Sequence, residues 1–281
     1  MEIKQRYVPV GDLQLHTAVA GPSTGEAVIL LHGFPDAWFT WEEQLQVLAG
    51  QGYYAVAPDQ RGYNLSSKPP GVENYTQDKL TGDILRLADG LGLERFHLVG
   101  HDFGAAVAWR LALLYPQRVR KLVISNVPHP QVMRHNLRRQ PGQMLRSSYA
   151  LFFQLPWLPE KLLAALEPEL LMKQMPSNLR EVQGARLKQA WSQPGALTSM
   201  LNWYRAAGRG AATASAGKAM VNVPTRIIWG EQDPYLRAEM AKQSMAYLQN
   251  GELMLLHEAG HWVHHDAAEK YNRYLLDFLR S

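Results

Sequence analysis

The chain has no cysteine. That excludes disulfides and thiolate metal sites but leaves the compartment open. Uninterrupted apolar runs of about 18 residues, the length that spans a bilayer, are also missing, and the opening segment MEIKQRYVPV lacks the apolar stretch of a secretory signal. A soluble, cytoplasmic protein with no membrane span is expected. No internal repeat or low-complexity tract interrupts the chain. Net charge is only +4, and part of the excess sits in one polar segment, at Arg134, Arg138, Arg139 and Arg146. No nucleic-acid-binding motif accompanies these arginines, so no nucleic acid is expected as partner, and they read as a solvated helix face.

What is present is a core-forming composition, 46% hydrophobic over 281 residues, enough for one large domain or a domain with an insertion. Two alternating runs, IKQRYVPV and LQLHTAVA, flank Gly11-Asp12, a pair suited to a two-residue hairpin turn. Short, nearly continuous apolar runs follow: AVILL (27–31), YAVAP (54–58), FHLVG (96–100) and KLVIS (121–125). Strands buried on both faces of a parallel sheet have this composition. Helix-length segments lie between them near 40–49, 76–90 and 104–115, the last stopped by Pro116. The alternation resumes with TRIIWG (225–230), a helix near 237–248, ELMLLH (252–257) and a closing helix near 267–280. The fold class is therefore α/β, a mostly parallel, eight-stranded, doubly wound sheet.

Residues 129–218 break the alternation. They are rich in Leu, Met, Trp, Phe and Arg and are punctuated by Pro141, Pro156, Pro159, Pro168, Pro176 and Pro194. Short helices between prolines are expected, forming a helical cap after the sixth strand. The divisions are 1–128 for the first part of the core, 129–218 for the cap and 219–281 for the rest of the core.

The segment Gly100-His101-Asp102-Phe103-Gly104 joins a buried strand to a helix through a Gly-x-X-x-Gly turn. In such an elbow the central side chain projects above the sheet, beside the positive end of the following helix. A carboxylate stays ionised there, and it displaces a leaving group at saturated carbon without needing a base to activate it. An ordinary N-capping aspartate is the plain alternative for Asp102. Three further segments weigh against that alternative. His32-Gly33-Phe34-Pro35-Asp36 can supply one backbone N–H of an oxyanion hole from Phe34, with Phe103 supplying the other. Gly230-Glu231-Gln232-Asp233 and Gly260-His261-Trp262 complete the chain order nucleophile, acid, histidine. All fall at the carboxyl ends of strands, where doubly wound sheets bind ligands.

HGFPD, DQRGYNLS (59–66), GHDFG, FFQLPW (152–157), LNWYR (201–205), WGEQD and GHW together resemble the epoxide hydrolases of the α/β-hydrolase-fold superfamily, over essentially the whole chain. The resemblance implies a two-step reaction. Asp102 opens an epoxide to an ester, and His261, oriented by Asp233, then activates the water that hydrolyses it. It also implies two cap tyrosines that donate to the departing oxygen. Tyr204 matches the second. Phe152 occupies the place of the first, and Tyr149, three residues earlier on the same helical face, is the expected replacement. No cofactor and no metal are expected; the partners are a small-molecule epoxide and water, with monomer and homodimer both open.

Dehalogenation by the same aspartate is the nearest rival. A halide leaves without a proton but wants N–H donors around it, and Phe34 and Phe103 supply no side-chain N–H. A non-catalytic ligand-binding relative would normally have lost one of Asp102, Asp233 and His261. A metal site built on His261, His264, His265 and Asp266 lacks a second cluster of ligands, so His264 and His265 read as packing residues. His32 and His101 are expected to make structural hydrogen bonds. Phe34, Pro35, Trp38, Phe152 and Trp203 are the expected substrate contacts, while Phe153 and Trp157 add apolar packing. An aromatic-rich cleft predicts an apolar epoxide.

Overall fold

The structure is a computed structural model, described here for residues 2–165, 171–210 and 220–281. Pro168 and the boundary drawn at 218 and 219 fall outside the described residues. Eight strands form one sheet: β1 (Lys4–Pro9), β2 (Gln14–Ala20), β3 (Ala27–Leu31), β4 (Tyr54–Pro58), β5 (Phe96–His101), β6 (Val119–Ser125), β7 (Thr225–Gly230) and β8 (Gly251–Leu256), in the order β1-β2-β4-β3-β5-β6-β7-β8. β1, β2 and β4 pair antiparallel and the remaining neighbours pair parallel. The hairpin between β1 and β2 closes through Val10 N–H donating to Leu13 C=O at 2.7 Å, with Gly11 at φ 76°. That backbone sign is what a tight hairpin turn requires.

Every residue of β3, β4, β5 and β7 is buried, because helices cover both faces of the sheet. Helix α1 (Glu42–Gly50) packs on β4, while α2 (Gln77–Gly90) packs on β1 and on α3 (Phe103–Leu114). Chain direction across the sheet reverses around β3: the chain steps to β4 on one side and then to β5 on the other. The loops after β3 and β5 therefore face each other across the crevice that such a reversal opens.

Between β6 and β7 lie α4 (Pro130–Arg139), α5 (Pro141–Arg146), α6 (Tyr149–Phe152), α7 (Leu158–Ala165), α8 (Ser177–Trp191) and α9 (Ala196–Gly210). Prolines open α4 and α5, where a missing N–H costs nothing. After β7 come α10 (Glu239–Ser244), α11 (Val263–Asp266) and α12 (Ala268–Arg280).

The helices between β6 and β7 are fastened to the sheet by polar anchors, one of them from the DQRGYNLS segment. Arg61 donates both Nε and Nη2 to the Asp83 carboxylate at 2.6 Å, and its carbonyl accepts from the Trp203 indole at 2.9 Å. Tyr75 meets Ser199 at 2.9 Å. Trp191 donates to the Pro35 carbonyl at 2.6 Å.

Within the insertion, Arg205 on α9 is the central tie. Its guanidinium donates to the Phe153 and Leu155 carbonyls at 3.1 and 2.6 Å and to the Glu160 carboxylate at 2.6 and 3.0 Å. One side chain thus fixes the turn after α6 against α9. Removing one partner of such an enclosed pair is costly because the other charge is stranded. Arg205→Met is expected to destabilise the fold by about 3 kcal/mol, measured by denaturant titration. A loss below about 0.5 kcal/mol would mean that the tie is dispensable.

Candidate active site

Asp102 is the residue between β5 and α3, at φ 50° and ψ −124°. An L-residue holds this strained backbone only when its surroundings over-determine it, and here three glycines make room. A Cβ on Gly33 would stand 2.3 Å from the Asp102 Cβ, one on Gly100 would reach 2.7 Å from the Ala105 Cα, and one on Gly104 would strike the Leu31 carbonyl at 2.2 Å. The elbow glycines are therefore steric requirements.

The bend aims the carboxylate into the crevice. Asp102 Oδ1 accepts from the Phe34 N–H at 2.8 Å, and Oδ2 stands 3.5 Å from His261 Nε2. On the other side of the ring, His261 Nδ1 meets Asp233 Oδ2 at 2.7 Å. Asp233 is itself tightly held: its Oδ1 accepts from the Tyr235 and Leu236 N–H groups at 2.7 and 2.9 Å, and its Oδ2 from Asn126 Nδ2 at 2.7 Å. Phe103 opens α3, so its N–H has no acceptor within the helix.

Burial by itself would raise both carboxyls and lower the imidazole. The hydrogen bond and charge of His261 outweigh burial at Asp102, and His261 with Asn126 outweighs it at Asp233, so both acids sit below the usual carboxylate value. Against the same burial, the Asp233 and Asp102 carboxylates push His261 up to about 10. At neutral pH the resting site is an imidazolium clamped between two carboxylates.

Above the three lies a cavity of about 420 Å³. Its walls are mostly apolar, formed by Phe34, Pro35, Phe152, Phe153, Leu162, Leu163, Leu171 and Trp262, with Tyr149, Tyr204, Tyr235 and Gln174 the polar contributors beside Asp102 and His261. Tyr204 packs edge-on against Phe34 and Phe103, at centroid distances of 5.1 and 4.7 Å. Tyr149 lies 6.0 Å from the Tyr204 ring and 5.8 Å from Tyr235. Burial raises both Tyr204 and Tyr149, and the two hydroxyls are joined by a hydrogen bond. Burial likewise pushes Tyr235 up to about 12. All three phenols stay protonated at neutral pH and can donate a hydrogen bond.

The expected substrate contacts divide. Phe34, Pro35 and Phe152 line the cavity. Trp38 and Trp203 do not. Trp38 is buried beneath Arg186, and Trp203 faces Tyr63 and Phe103 with its N–H spent on the Arg61 carbonyl. Trp157 differs from its expected packing role: at 62% exposure it stands in solvent under the Lys161 ammonium.

His101 Nε2 donates to the His261 carbonyl at 2.9 Å, and His32 Nε2 accepts from the Gln60 N–H at 3.0 Å. His264 stacks on Trp41 at 4.2 Å. Sequence reasoning missed Asn126, Tyr235, Gln174 and Trp262. Asn126 carried a usable signal, since it directly follows β6 and so shares the strand-end position of the other site residues.

The sequence profile of the alpha/beta hydrolase fold matches residues 26–268. The chain belongs to the α/β-hydrolase fold family, in its epoxide hydrolase branch. It is 40% identical to the AB hydrolase superfamily protein YfhM of Bacillus subtilis (strain 168), over 99% of each chain. With Epoxide hydrolase 4 of Homo sapiens it shares 36% identity over 98% of this chain and 78% of that protein. Among solved structures, the Bacillus megaterium epoxide hydrolase in complex with an inhibitor superposes with a TM-score of 0.85 at 30% identity, covering 98% of this chain and all of the other. An epoxide hydrolase from hot-environment metagenomes reaches 0.88 at 33% identity, covering 99% and 98%.

The electrostatics of this hydrolase site predict a signed pH effect on stability. The folded pKa of His261 lies above its unfolded value of about 6.5. Its contribution is therefore complete below that value and disappears as pH rises towards about 10. Melting temperature should fall across this window in the wild type and fall less in His261→Gln. Parallel profiles for the two proteins would show that the imidazolium is not held as described.

Proposed function

We propose that the chain hydrolyses an apolar epoxide to a vicinal diol through a covalent ester on Asp102. The observation that carries this reading is the pair of phenol donors, Tyr149 and Tyr204, in the wall of the cavity over the Asp102 carboxylate. In the first step Asp102 Oδ2 attacks an epoxide carbon. The carbon–oxygen bond breaks, its electron pair goes to the ring oxygen, and that oxygen takes a proton from the tyrosine pair. Oδ1 remains on the Phe34 N–H.

Alkylation removes the Asp102 charge, one of the two that held His261 protonated; the imidazolium proton then returns to the phenolate left on the tyrosine pair, and the neutral imidazole can act as a base. His261 then draws a proton from water as that water attacks the ester carbonyl. The N–H groups of Phe34 and Phe103 hold the oxyanion. The ester C–O bond then breaks and its electron pair goes to the departing oxygen. That oxygen takes the second proton of the attacking water and leaves as the diol, with Asp102 again a carboxylate and His261 again protonated. Asp233 keeps the ring in register and stabilises its positive form throughout. The relatives and solved structures named as epoxide hydrolases support the reaction class.

Dehalogenation is less well supported. A departing halide needs N–H donors, and the indoles of Trp191, Trp203 and Trp262 direct theirs to the Pro35 carbonyl, the Arg61 carbonyl and the Asp36 carboxylate. The largely apolar walls favour a lipophilic substrate, since desolvating polar substituents there would go uncompensated.

Single-turnover hydrolysis in labelled water should leave the label in the Asp102 carboxylate, with the first diol unlabelled. Label in that first diol would rule out the ester and require direct attack by water. Tyr149→Phe and Tyr204→Phe should each slow ester formation by about a hundredfold or more, followed by rapid quench, while leaving hydrolysis of the ester much less affected. An unchanged ring-opening rate in Tyr149→Phe would remove Tyr149 from the donor pair.

A further inference from the structure

The arginine-bearing face that the sequence presents as simply solvated also carries large apolar side chains. No Asp or Glu occurs between Asp102 and Glu160, and Glu160 is engaged by Arg205 at 2.6 Å. Within this acid-free stretch Arg138, Arg139 and Arg146 are exposed. Arg237, paired with Glu239, lies beside α5, with its Nη1 3.7 Å from a Cβ placed on Gly142. Among these cations Leu145 is 76% exposed and Leu151 73%. Met144, Leu155 and Trp157 are exposed as well.

The bond from Ser148 N to Leu145 O closes the turn that joins α5 to α6. Leu145 stands at the end of α5 and Leu151 on α6, on either side of that turn. Tyr149 and Phe152 of the same α6 line the cavity. The helix that carries the exposed Leu151 is therefore also a wall of the cavity.

We propose that this face, α4 to α6 and the turn through Trp157, docks peripherally on an anionic lipid surface. Exposed leucines and a tryptophan, in a stretch that carries arginines and no carboxylate between Asp102 and Glu160, match the two layers of such a surface. The leucines enter the acyl boundary, the indole sits at headgroup level, and the guanidinium groups meet lipid phosphates. A second protein would call for carboxylates opposite a stretch whose exposed charges are all positive. The protein needs no spanning segment for this, and no helix of the described residues is long and apolar enough to cross a membrane. Docking sets α6, a wall of the cavity, against the phase in which apolar epoxides dissolve. That delivery role rests on the epoxide reading; the docking itself does not.

Flotation with vesicles of phosphatidylcholine containing about one-third phosphatidylglycerol, at low salt, tests it directly. The wild type should float with these vesicles, float far less with pure phosphatidylcholine, and dissociate as salt screens the arginines. R138Q/R139Q should weaken partitioning by about 25-fold, at roughly fivefold for each arginine near the surface. L145S/L151S should weaken it by about a hundredfold, at roughly tenfold or more for each leucine. Both double variants should hydrolyse a water-soluble epoxide within about twofold of wild type, so a failed epoxide reading would show separately as inactivity of all three proteins. Absence of wild-type flotation at low salt, or equal flotation of all three, overturns the proposal. A stable dimer in solution that L145S/L151S dissociates also overturns it, because a second copy would then occupy the face.

Discussion

The left-handed bend at Asp102 is the constraint on which the site depends. A strand must stop, reverse its backbone sign and start a helix within one residue, while the loop after β3 passes within van der Waals range of the same carboxylate. Only residues without a Cβ fit at 33, 100 and 104. The reward is a carboxylate that one backbone N–H holds on one oxygen and that an imidazolium faces on the other. Strain in the backbone and order in the site are two sides of one arrangement, because a relaxed turn would let the side chain rotate away from both partners.

The second organising element is the division of labour around His261. Its ring is gripped from the sheet side by Asp233, which Asn126 and two backbone amides immobilise in turn. The opposite carboxylate, Asp102, is the one that the proposed reaction consumes and regenerates. A cation stabilised by two anions when the site is empty, and by one when it is alkylated, changes its proton affinity without any side chain moving. The helices between β6 and β7 supply the complementary half, with Arg205 holding the turn that carries Phe152 and Phe153 against the helix that carries Tyr204.

Much of this was legible in the sequence, and for physical reasons. Parallel strands buried on both faces leave unbroken apolar runs, and elbows that tolerate no Cβ leave glycines at fixed spacing. Asp102, Asp233 and His261 thus stood out as chemically unusual residues at strand ends, and the structure brings them into one line. Tyr149 could be named from the resemblance, which leaves Phe152 where a tyrosine is expected, together with helical spacing, and it lies beside Tyr204. Other features left no such trace. Trp38, Trp157 and Trp203 are the same residue type in equally apolar contexts, yet one is buried under Arg186, one is in solvent and one braces α9 against the core. Asn126 has the backbone sign of a turn residue and the contacts of an orienting group, and only the three-dimensional arrangement tells these roles apart. Gln174 enters the cavity from a stretch with no motif at all.

Tyr235 belongs to both halves of the site at once. Its amide N–H holds Asp233, its ring stands edge-on to His261 at 5.1 Å, and its hydroxyl donates to Gln174 across the cavity at 2.8 Å. Walls such as Leu162, Leu163 and Phe152 can be recarved to admit a larger or smaller guest with no direct effect on the acid–histidine pair. Position 235 offers no such freedom. A change there that reshapes the chamber also reaches the alignment of the imidazole, so the breadth of molecules this fold can come to accept is confined to one wall, and the other is committed to holding the acid–histidine pair.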